Sequence, residues 1–395
     1  MRKVTAIITA LSMVATMTPV YGSTNGSAVV SSGDNNTVNS VVNETAVVSV
    51  TQTNNTNVSQ FVGGEVNTGG NTANRNISTG GAGTSITTGN AGMAVTNQVN
   101  AGSNQTVVHG ANAGAAANAT EAVISGDNNN VNTVTNVLDV TTVTNTNNTN
   151  VAQKVWGDVN TGNNTANRNI GSGTSVNTGN AGLSAGLEVN AGSNAAHVGG
   201  QGFGIAGSAQ NGLAVTTTGD NNTANSVANT TTVVAVNNTN NTAVKQFVRG
   251  DVNTGWNRAN RNIGDASIDT GEASLGAGVA VNAGQNAVSV GGVMPMGLSL
   301  SEVISSGDDL LTNTVTNTTM TTAVTGTNNL SEYQHVWGNT NTGWNYAKRS
   351  IGGSGIMTGG TGFGVGLGVN AGVNQTLIGG GLLGGLTGWF GAWWL

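Results

Sequence analysis

Apolar and small polar residues alternate along several stretches of this chain, for example in Thr45–Val50 (TAVVSV), Val134–Val143 (VTNVLDVTTV) and Thr230–Val236 (TTTVVAV). A two-residue period is typical of strands with one buried face. Clusters of Asn and Gly lie between these stretches, and both residues tolerate the positive φ of chain reversals. Gly, Asn, Thr and Val are poor helix formers. The pattern therefore predicts an all-β protein with little or no helix after residue 22.

One nine-residue motif occurs four times. It reads GGNTANRNI from Gly69, GNNTANRNI from Gly162, GWNRANRNI from Gly255 and GWNYAKRSI from Gly343, so that the copies begin 93, 93 and 88 residues apart. Repetition at a fixed period is typical of proteins whose units stack on one another. We therefore assign four units, at residues 23–115, 116–208, 209–298 and 299–376.

Turns rich in Asn and Gly recur at intervals of roughly 13 to 21 residues within a unit, which favours several short coils per unit. Stacked coils place like residues about 4.8 Å apart, with Val on Val inside and Asn on Asn at the corners. We expect an elongated β-solenoid, built from four tandem repeats of about 90 residues. At about 20 residues per coil, this solenoid would be a rod roughly 80 Å long.

The composition differs from that of an ordinary enzyme. Charged residues make up 7% of the chain, and 62 of its 395 residues are Gly, against about 25% and about 7% in typical soluble proteins. Only two residues are Pro, and Val, Ile and Thr are abundant, which argues against disorder. Without Cys, neither disulfides nor thiolate metal sites can stabilise the fold. The net charge of −6 argues against nucleic acid as a partner.

Residues 1–22 have the pattern of a secretory signal peptide. Arg2 and Lys3 precede an apolar stretch that runs from Val4 to Met17, and small residues follow it. Such a segment directs export and is removed from the mature chain. We therefore expect a secreted protein that is extracellular or attached to the cell surface.

The end of the chain departs from the repeat, because residues 377–395 are apolar and rich in Gly and Trp. Three interpretations stay open: a cap over the last coil, a docking tail, or a membrane-spanning helix, which needs about 20 apolar residues. In the docking interpretation the contact is made by an aromatic cluster. That cluster consists of Trp389, Phe390, Trp393 and Trp394.

Arg and Trp recur at equivalent positions of the units. Acidic residues precede the first three arginines by ten residues, at Glu65, Asp158 and Asp251. We favour ion pairs between neighbouring coils, with a repeated glycan-binding ridge as the alternative. The tryptophans suit either local packing or stacking on sugars. The repeated positions are Arg75, Arg168, Arg261, Arg349, Trp156, Trp256, Trp337 and Trp344.

The sequence contains no recognisable catalytic or metal-binding pattern. His109, His197 and His335 occupy different places within their units, and no Ser lies in a GxSxG context with a matched His and acid. Polysaccharide hydrolysis needs paired carboxylates, which would interrupt a repeat that is hardly interrupted here. We therefore predict no enzymatic activity, no cofactor and no metal site.

The fragments GGNTA, from Gly69, and GNNTA, from Gly162, resemble the G-x-N-x-A core of the curlin repeat, the subunit of bacterial extracellular functional amyloid. The flanking Ser and Gln of curlin repeats are absent here, and curlin repeats are about a quarter as long. The overall composition also resembles that of uncharacterised Asn/Gly/Thr-rich surface repeat proteins of bacteria. These resemblances imply a secreted, β-rich chain that stacks, and that polymerises or joins an extracellular matrix.

These observations predict a structural protein of the cell surface or extracellular matrix, which forms a stiff stacked β rod. One alternative is a curlin-like, self-polymerising fibre subunit, whose partner is another copy. A second alternative is an adhesin that binds glycans through the repeated Arg and Trp positions. The expected partners are therefore further copies, other surface components or glycans, with membrane contact of the tail as a further alternative, and not nucleic acid.

Overall fold

The computed structural model describes residues 2–9, 13–17, 24–79, 83–108, 115–199, 208–291 and 296–378. The regular structure within these ranges is made of β-strands, so the prediction of an all-β protein is confirmed. In the same ranges we find no helix with the length and apolar character needed to cross a membrane. The strands, in chain order, are β1 (Arg2–Thr9), β2 (Met13–Met17), β3 (Thr24–Ser32), β4 (Thr37–Asn67), β5 (Thr84–Thr87), β6 (Ala91–Asn100), β7 (Asn104–Val108), β8 (Ala115–Ser125), β9 (Asn130–Asn160), β10 (Ile170–Thr178), β11 (Ala181–Asn190), β12 (Asn194–Val198), β13 (Ser208–Thr218), β14 (Thr223–Asn253), β15 (Ile263–Thr270), β16 (Ala273–Asn282), β17 (Asn286–Val290), β18 (Met296–Ser305), β19 (Leu311–Asn341), β20 (Ser354–Met357), β21 (Thr361–Asn370) and β22 (Asn374–Ile378).

Four of these strands, β4, β9, β14 and β19, are 31 residues long. At about 3.3 Å per residue, each of them spans about 100 Å. Every second residue of β9 from Val131 to Val159 is buried, as the alternating pattern predicts. Many of these inward residues are Thr, Asn or Gln rather than apolar. The interior of the sheet therefore needs hydrogen-bond partners as well as apolar contacts.

Shorter strands run back along each long strand and cover its inward face. Leu183 in β11 belongs to the same buried cluster as Val155 in β9, and Val198 in β12 to the same cluster as Val143. Further along, Leu213 in β13 clusters with Val131, near the start of β9. The core is thus a thin layer between the long strands and the return strands.

The strands form five parallel sheets in which equivalent strands of successive units lie side by side. The long strands make one sheet, and the return strands make the other four. The strand orders are β19-β14-β9-β4, β1-β6-β11-β16-β21, β20-β15-β10-β5, β2-β7-β12-β17-β22 and β18-β13-β8-β3.

The hydrogen-bonded neighbour of each long-strand residue lies one whole unit away in sequence. Val131 pairs with Val38 on one side and Ala224 on the other, and paired residues of the long strands are 93, 93 and 88 positions apart. The expectation of several 20-residue coils per unit is therefore wrong. Because a stack of four strands is only about 14 Å deep and the packed layers lie about 10 Å apart, the described body is a narrow plate. Its roughly 100 Å dimension follows the long strands and not the stack, unlike that of the predicted rod of roughly 80 Å.

The reason for this error lies in the Asn clusters that were interpreted as turns. The TNNTN segment around Asn54 is not a reversal but lies inside β4. There Asn54 Nδ2 donates to Asn147 Oδ1 at 3.1 Å, and Asn147 Nδ2 donates to Asn240 Oδ1 at 3.0 Å. Stacked amides satisfy one another along the sheet, so Asn is accommodated in the interior of a strand.

We refer to residues 24–108, 115–199, 208–291 and 296–378 as rungs one to four. Next to rung one, β1 and β2 pair in parallel with β6 and β7. Two segments of the predicted signal peptide, β1 and β2, therefore form part of a further rung in this structure. Their removal after export stays a prediction.

Candidate functional site

The repeated nine-residue motif forms the corner that follows each long strand. In rung three, β14 ends at Asn253 and the motif leads from Gly255 into β15. Inward and outward positions alternate along it: Asn257 and Ala259 are fully buried, whereas Trp256 is 48% exposed. The constant Gly, Asn and Ala of the motif thus build the corner, and the second and fourth positions, which vary, face solvent together with the constant Arg and Ile.

Buried Asn side chains hold this corner in shape. Asn164 Nδ2 donates to Thr161 O at 2.9 Å, which closes the turn, and to Asn257 Oδ1 in the next rung at 3.0 Å. Asn257 Oδ1 also accepts the backbone N–H of Asn164 at 3.0 Å. Asn257 makes the same contacts with Thr254 and Asn345. Each Asn therefore satisfies its own turn and joins two rungs.

The glycine that opens the motif is required by the close approach of neighbouring rungs. A Cβ on Gly162 would lie 2.0 Å from Gly255 O, which no side chain can tolerate. The residue after it has a positive φ in every rung, and in rungs three and four this residue is Trp256 (65°) and Trp344 (60°). A left-handed conformation costs a residue other than Gly about 1–3 kcal/mol. The conformational preference of the backbone therefore does not explain why Trp occupies these two positions.

Aromatic and basic side chains occupy the outward positions of the corner in rungs three and four. The rings of Trp256 and Trp344 are stacked, with centroids 5.2 Å apart and an angle of 7° between planes. Lys348 Nζ lies 4.7 Å from the centre of the Tyr346 ring. The two motifs contain no Asp or Glu, and Asp265, two residues after the rung-three motif, accepts the backbone N–H of Gly353 at 2.7 Å. We call this surface the corner patch: Trp256, Arg258, Arg261, Trp344, Tyr346, Lys348 and Arg349.

The four repeated arginines form an exposed row along the corner. Each has a left-handed backbone, with φ between 56° and 59°: Arg75, Arg168, Arg261 and Arg349. The ion pair found among the described residues is Arg249 with Asp251 at 3.7 Å, and none joins this row to Glu65, Asp158 or Asp251. The expectation of ion pairs between neighbouring rungs is therefore wrong. Like charges one strand apart destabilise a sheet, and an anionic ligand would relieve that repulsion.

A second aromatic surface lies on the outward face of the long strands, and we call it the outer patch. Arg249 Cζ lies 4.7 Å from the Trp337 ring centre, and the Phe247 and Tyr333 ring centres are 5.3 Å apart. Trp156 and Trp337 do not occupy adjacent rungs, because Arg249 stands between them in the register. The patch consists of Phe61, Lys154, Trp156, Phe247, Arg249, Tyr333, His335 and Trp337.

Three acidic residues form a row beside the outer patch. Asp158 pairs in register with Glu65 on one side and Asp251 on the other. Burial raises the pKa of Asp158 above its ordinary value of 3.8, and the charges of Asp251 and Glu65 raise it further. No three His, Asp or Glu side chains of the described ranges are arranged to hold a metal ion.

The predicted tail cluster, Trp389, Phe390, Trp393 and Trp394, lies outside the described residues, as does His109. Of the other predicted positions, the structure brings together Trp256 with Trp344, and places the four arginines in one row. It also adds Arg258, Tyr346 and Lys348, which sequence reasoning missed. They fill variable positions of the motif: Arg258 and Tyr346 lie between the constant Asn and Ala, and Lys348 lies between Ala347 and Arg349.

Comparison with known proteins gave no match to a family model, to a curated protein or to a solved structure. The resemblance to curlin repeats therefore stays a prediction that rests on the motif alone.

Proposed function

We propose that this chain is a secreted structural protein of the cell surface or extracellular matrix, a β-solenoid of four repeats that acts as a stiff stacked body. The observation that carries the proposal is the pairing of whole units in parallel register, with buried Asn and Gln side chains bonded from rung to rung. Gln153, for example, is 1% exposed and donates to Gln60 Oε1 at 2.9 Å. Repeats that stack in this way supply length and stiffness rather than a reaction centre.

Electron microscopy of the purified full chain, and of the chain that begins at Ser23, tests this proposal. Discrete plates about 100 Å long, or fibres built from them, are the expected particles. Far-ultraviolet circular dichroism should report β-structure in the same samples. Shapeless particles would contradict the proposal.

A fibre subunit is the second candidate function, and the terminal long strands favour it. Within the described residues, β4 pairs only with β9 and β19 pairs only with β14. Unpaired strand edges are templates for further strands. Fibres that lengthen with time in dilute buffer would support this candidate, and a particle size that stays constant at high protein concentration would contradict it.

An adhesin for acidic glycans is the third candidate, and the corner patch favours it. Four cations and a stacked Trp pair lie there, and none of the four cations is in an ion pair among the described residues, which suits sugar rings that carry carboxylate or sulfate groups. Affinity electrophoresis in gels that contain alginate or neutral dextran compares the binding of an acidic and of a neutral polysaccharide. It thereby distinguishes recognition of charge from non-specific binding to polysaccharides. We expect retention by alginate only.

Trp344→Asn is the informative variant for the adhesin candidate, because rung two has Asn163 at the equivalent, left-handed position. Loss of the Trp stack costs about 0.5–1.5 kcal/mol, and Asn tolerates the left-handed conformation better than Trp does, so the fold should be retained. We expect at least a tenfold loss of alginate affinity. Replacing Arg75, Arg168 and Arg261 with Gln should have the same effect, and unchanged affinity in both variants would exclude an adhesin of this kind.

A further inference from the structure

The two open edges of the long-strand sheet are not equivalent, because each amide ladder that runs through the four rungs has a direction. The ladder of Asn54, Asn147, Asn240 and Asn328 donates towards rung four, whereas four other ladders donate towards rung one. Asn136 Nδ2 donates to Asn43 Oδ1 at 2.8 Å, Asn229 Nδ2 to Asn136 Oδ1 at 2.7 Å, and Asn317 Nδ2 to Asn229 Oδ1 at 2.8 Å. In this ladder, each side chain donates towards rung one. Rung one therefore ends in an amide that points an N–H group outwards, and rung four ends in an amide oxygen.

The glutamine ladder inside the sheet shows the same polarity. Gln153 donates to Gln60 at 2.9 Å, Gln246 to Gln153 at 2.8 Å and Gln334 to Gln246 at 3.0 Å. Gln60 is only 8% exposed, and its Nε2 atom has no hydrogen-bond partner. A buried donor without an acceptor costs about 1–3 kcal/mol. An acceptor placed beyond rung one would recover that free energy.

Two further ladders end in the same way, with side-chain donors at rung one and acceptors at rung four. They run through Asn55, Asn148, Asn241 and Asn329, and through Asn67, Asn160, Asn253 and Asn341.

We propose that rung four of one copy stacks on rung one of a second copy, in the register that joins the rungs within a chain. Asn317 then lies against Asn43 of the second copy, and Gln334 lies against Gln60, so that each free donor meets a free acceptor. Two rung-one edges would instead bring together two copies of Gln60, whose Nε2 atoms lack a partner, without the acceptor that Gln334 provides at rung four. This contact joins different surfaces and does not close, so it generates a filament. The inference rests on the proposed stacking function and specifies its contact.

The amino-terminal strands occupy part of the same surface. β1 and β2 pair with the edges of β6 and β7, which are the edges that β21 and β22 of the other copy would take. Residues 2–17 and a second copy therefore compete for rung one. Filament growth should be faster for the chain that begins at Ser23 than for the full chain.

Introduced cysteines test the register directly, because the natural chain has none. The double variant Asn43→Cys/Asn317→Cys places two exposed thiols about 4.8 Å apart across the proposed contact, within the range that a disulfide spans. Within one chain they are three rungs apart, about 14 Å, and do not react. Mild oxidation of both chain lengths, followed by non-reducing electrophoresis, should give a ladder of dimers and larger species, with stronger bands for the chain that begins at Ser23.

Two controls make the test specific. Asn55→Cys/Asn317→Cys carries the same exposed residue types, but the proposed register holds its thiols about 40 Å apart. Asn43→Cys alone forms dimers only if two rung-one edges meet. Neither control should give the ladder.

Other results overturn the inference. Cross-links in either control would exclude the proposed register or polarity, and absence of cross-links in both lengths of the main variant would exclude the contact itself. Microscopy of the same samples separates the two proposals: discrete plates without cross-links leave the structural function in place, whereas shapeless particles contradict both.

Discussion

Rungs three and four have closely related residues at paired positions and very different surroundings. Leu275 in rung three is 1% exposed, and Phe363, its hydrogen-bonded neighbour in rung four, is 51% exposed. Val279 and Leu367 show the same contrast, with 2% and 58% exposed. A rung therefore does not bury its own apolar residues, because the neighbouring rung on each side provides the cover.

Among the substitutions that test this contrast, truncation of the paired apolar residues should change the free energy of unfolding most. Leu275→Ala removes a fully buried side chain and should lower the free energy of unfolding by about 2–5 kcal/mol. Phe363→Ala removes a half-exposed side chain and should cost about 1 kcal/mol. Urea denaturation at low protein concentration, followed by circular dichroism, measures both. Equal losses in the free energy of unfolding for the two variants would mean that another surface covers Phe363 in solution.

Loss of an amide should give an intermediate effect. Gln246→Ala leaves Gln153 Oε1 and Gln334 Nε2 without their partners inside the sheet, at a cost of about 1–3 kcal/mol. Gln334→Ala removes the terminal member of the ladder, where water reaches the freed Gln246 oxygen, and should cost about 1 kcal/mol or less. The same denaturation experiment compares the variants. A larger loss for Gln334→Ala would contradict the idea that interior rungs depend more on the ladder.

Removal of one acidic charge should give the smallest effect, and its sign should be stabilising. Asp158 has an acidic neighbour on both sides, whereas Glu65 has one. Asp158→Asn should raise stability at neutral pH by about 0.2–1 kcal/mol, and Glu65→Gln should raise it less. The thermal midpoint of each variant at neutral pH measures this difference.

The pH dependence of the Asp158→Asn gain follows from the direction of the pKa shift. The folded protein holds the Asp158 proton more tightly than the unfolded chain does, since the pKa of Asp158 is raised. The stability of the natural chain therefore falls as pH rises from 3.8 through the raised pKa. The gain from Asp158→Asn should be present at neutral pH and should vanish below pH 3.8. A gain that persists in acid would mean that it does not come from charge.

The sequence predicted the candidate surfaces only in part. Trp256 and Trp344 could be recognised as equivalent, because both follow the first Gly of the motif. Arg258, Tyr346 and Lys348 fill positions that differ between the four motifs, so a search for repeated residues does not select them. The outer patch was harder to predict, because Phe247, Arg249 and Trp337 come together only when residues 88 positions apart pair across β14 and β19.

By itself, the sequence determined that the chain is β-structured and that its units recur every 93, 93 and 88 residues. These properties depend on local alternation and on repetition, both of which can be read along the chain. Only the tertiary structure decided which strands are neighbours. Alternation indicates a strand but not its partner, and it did not show which face is buried, since Leu138 is exposed and Asp139 is buried. Asn-rich segments also serve equally well as turns or as ladders inside a strand. The pairing was decided by the return strands, since they must cover the whole long strand before the next unit begins.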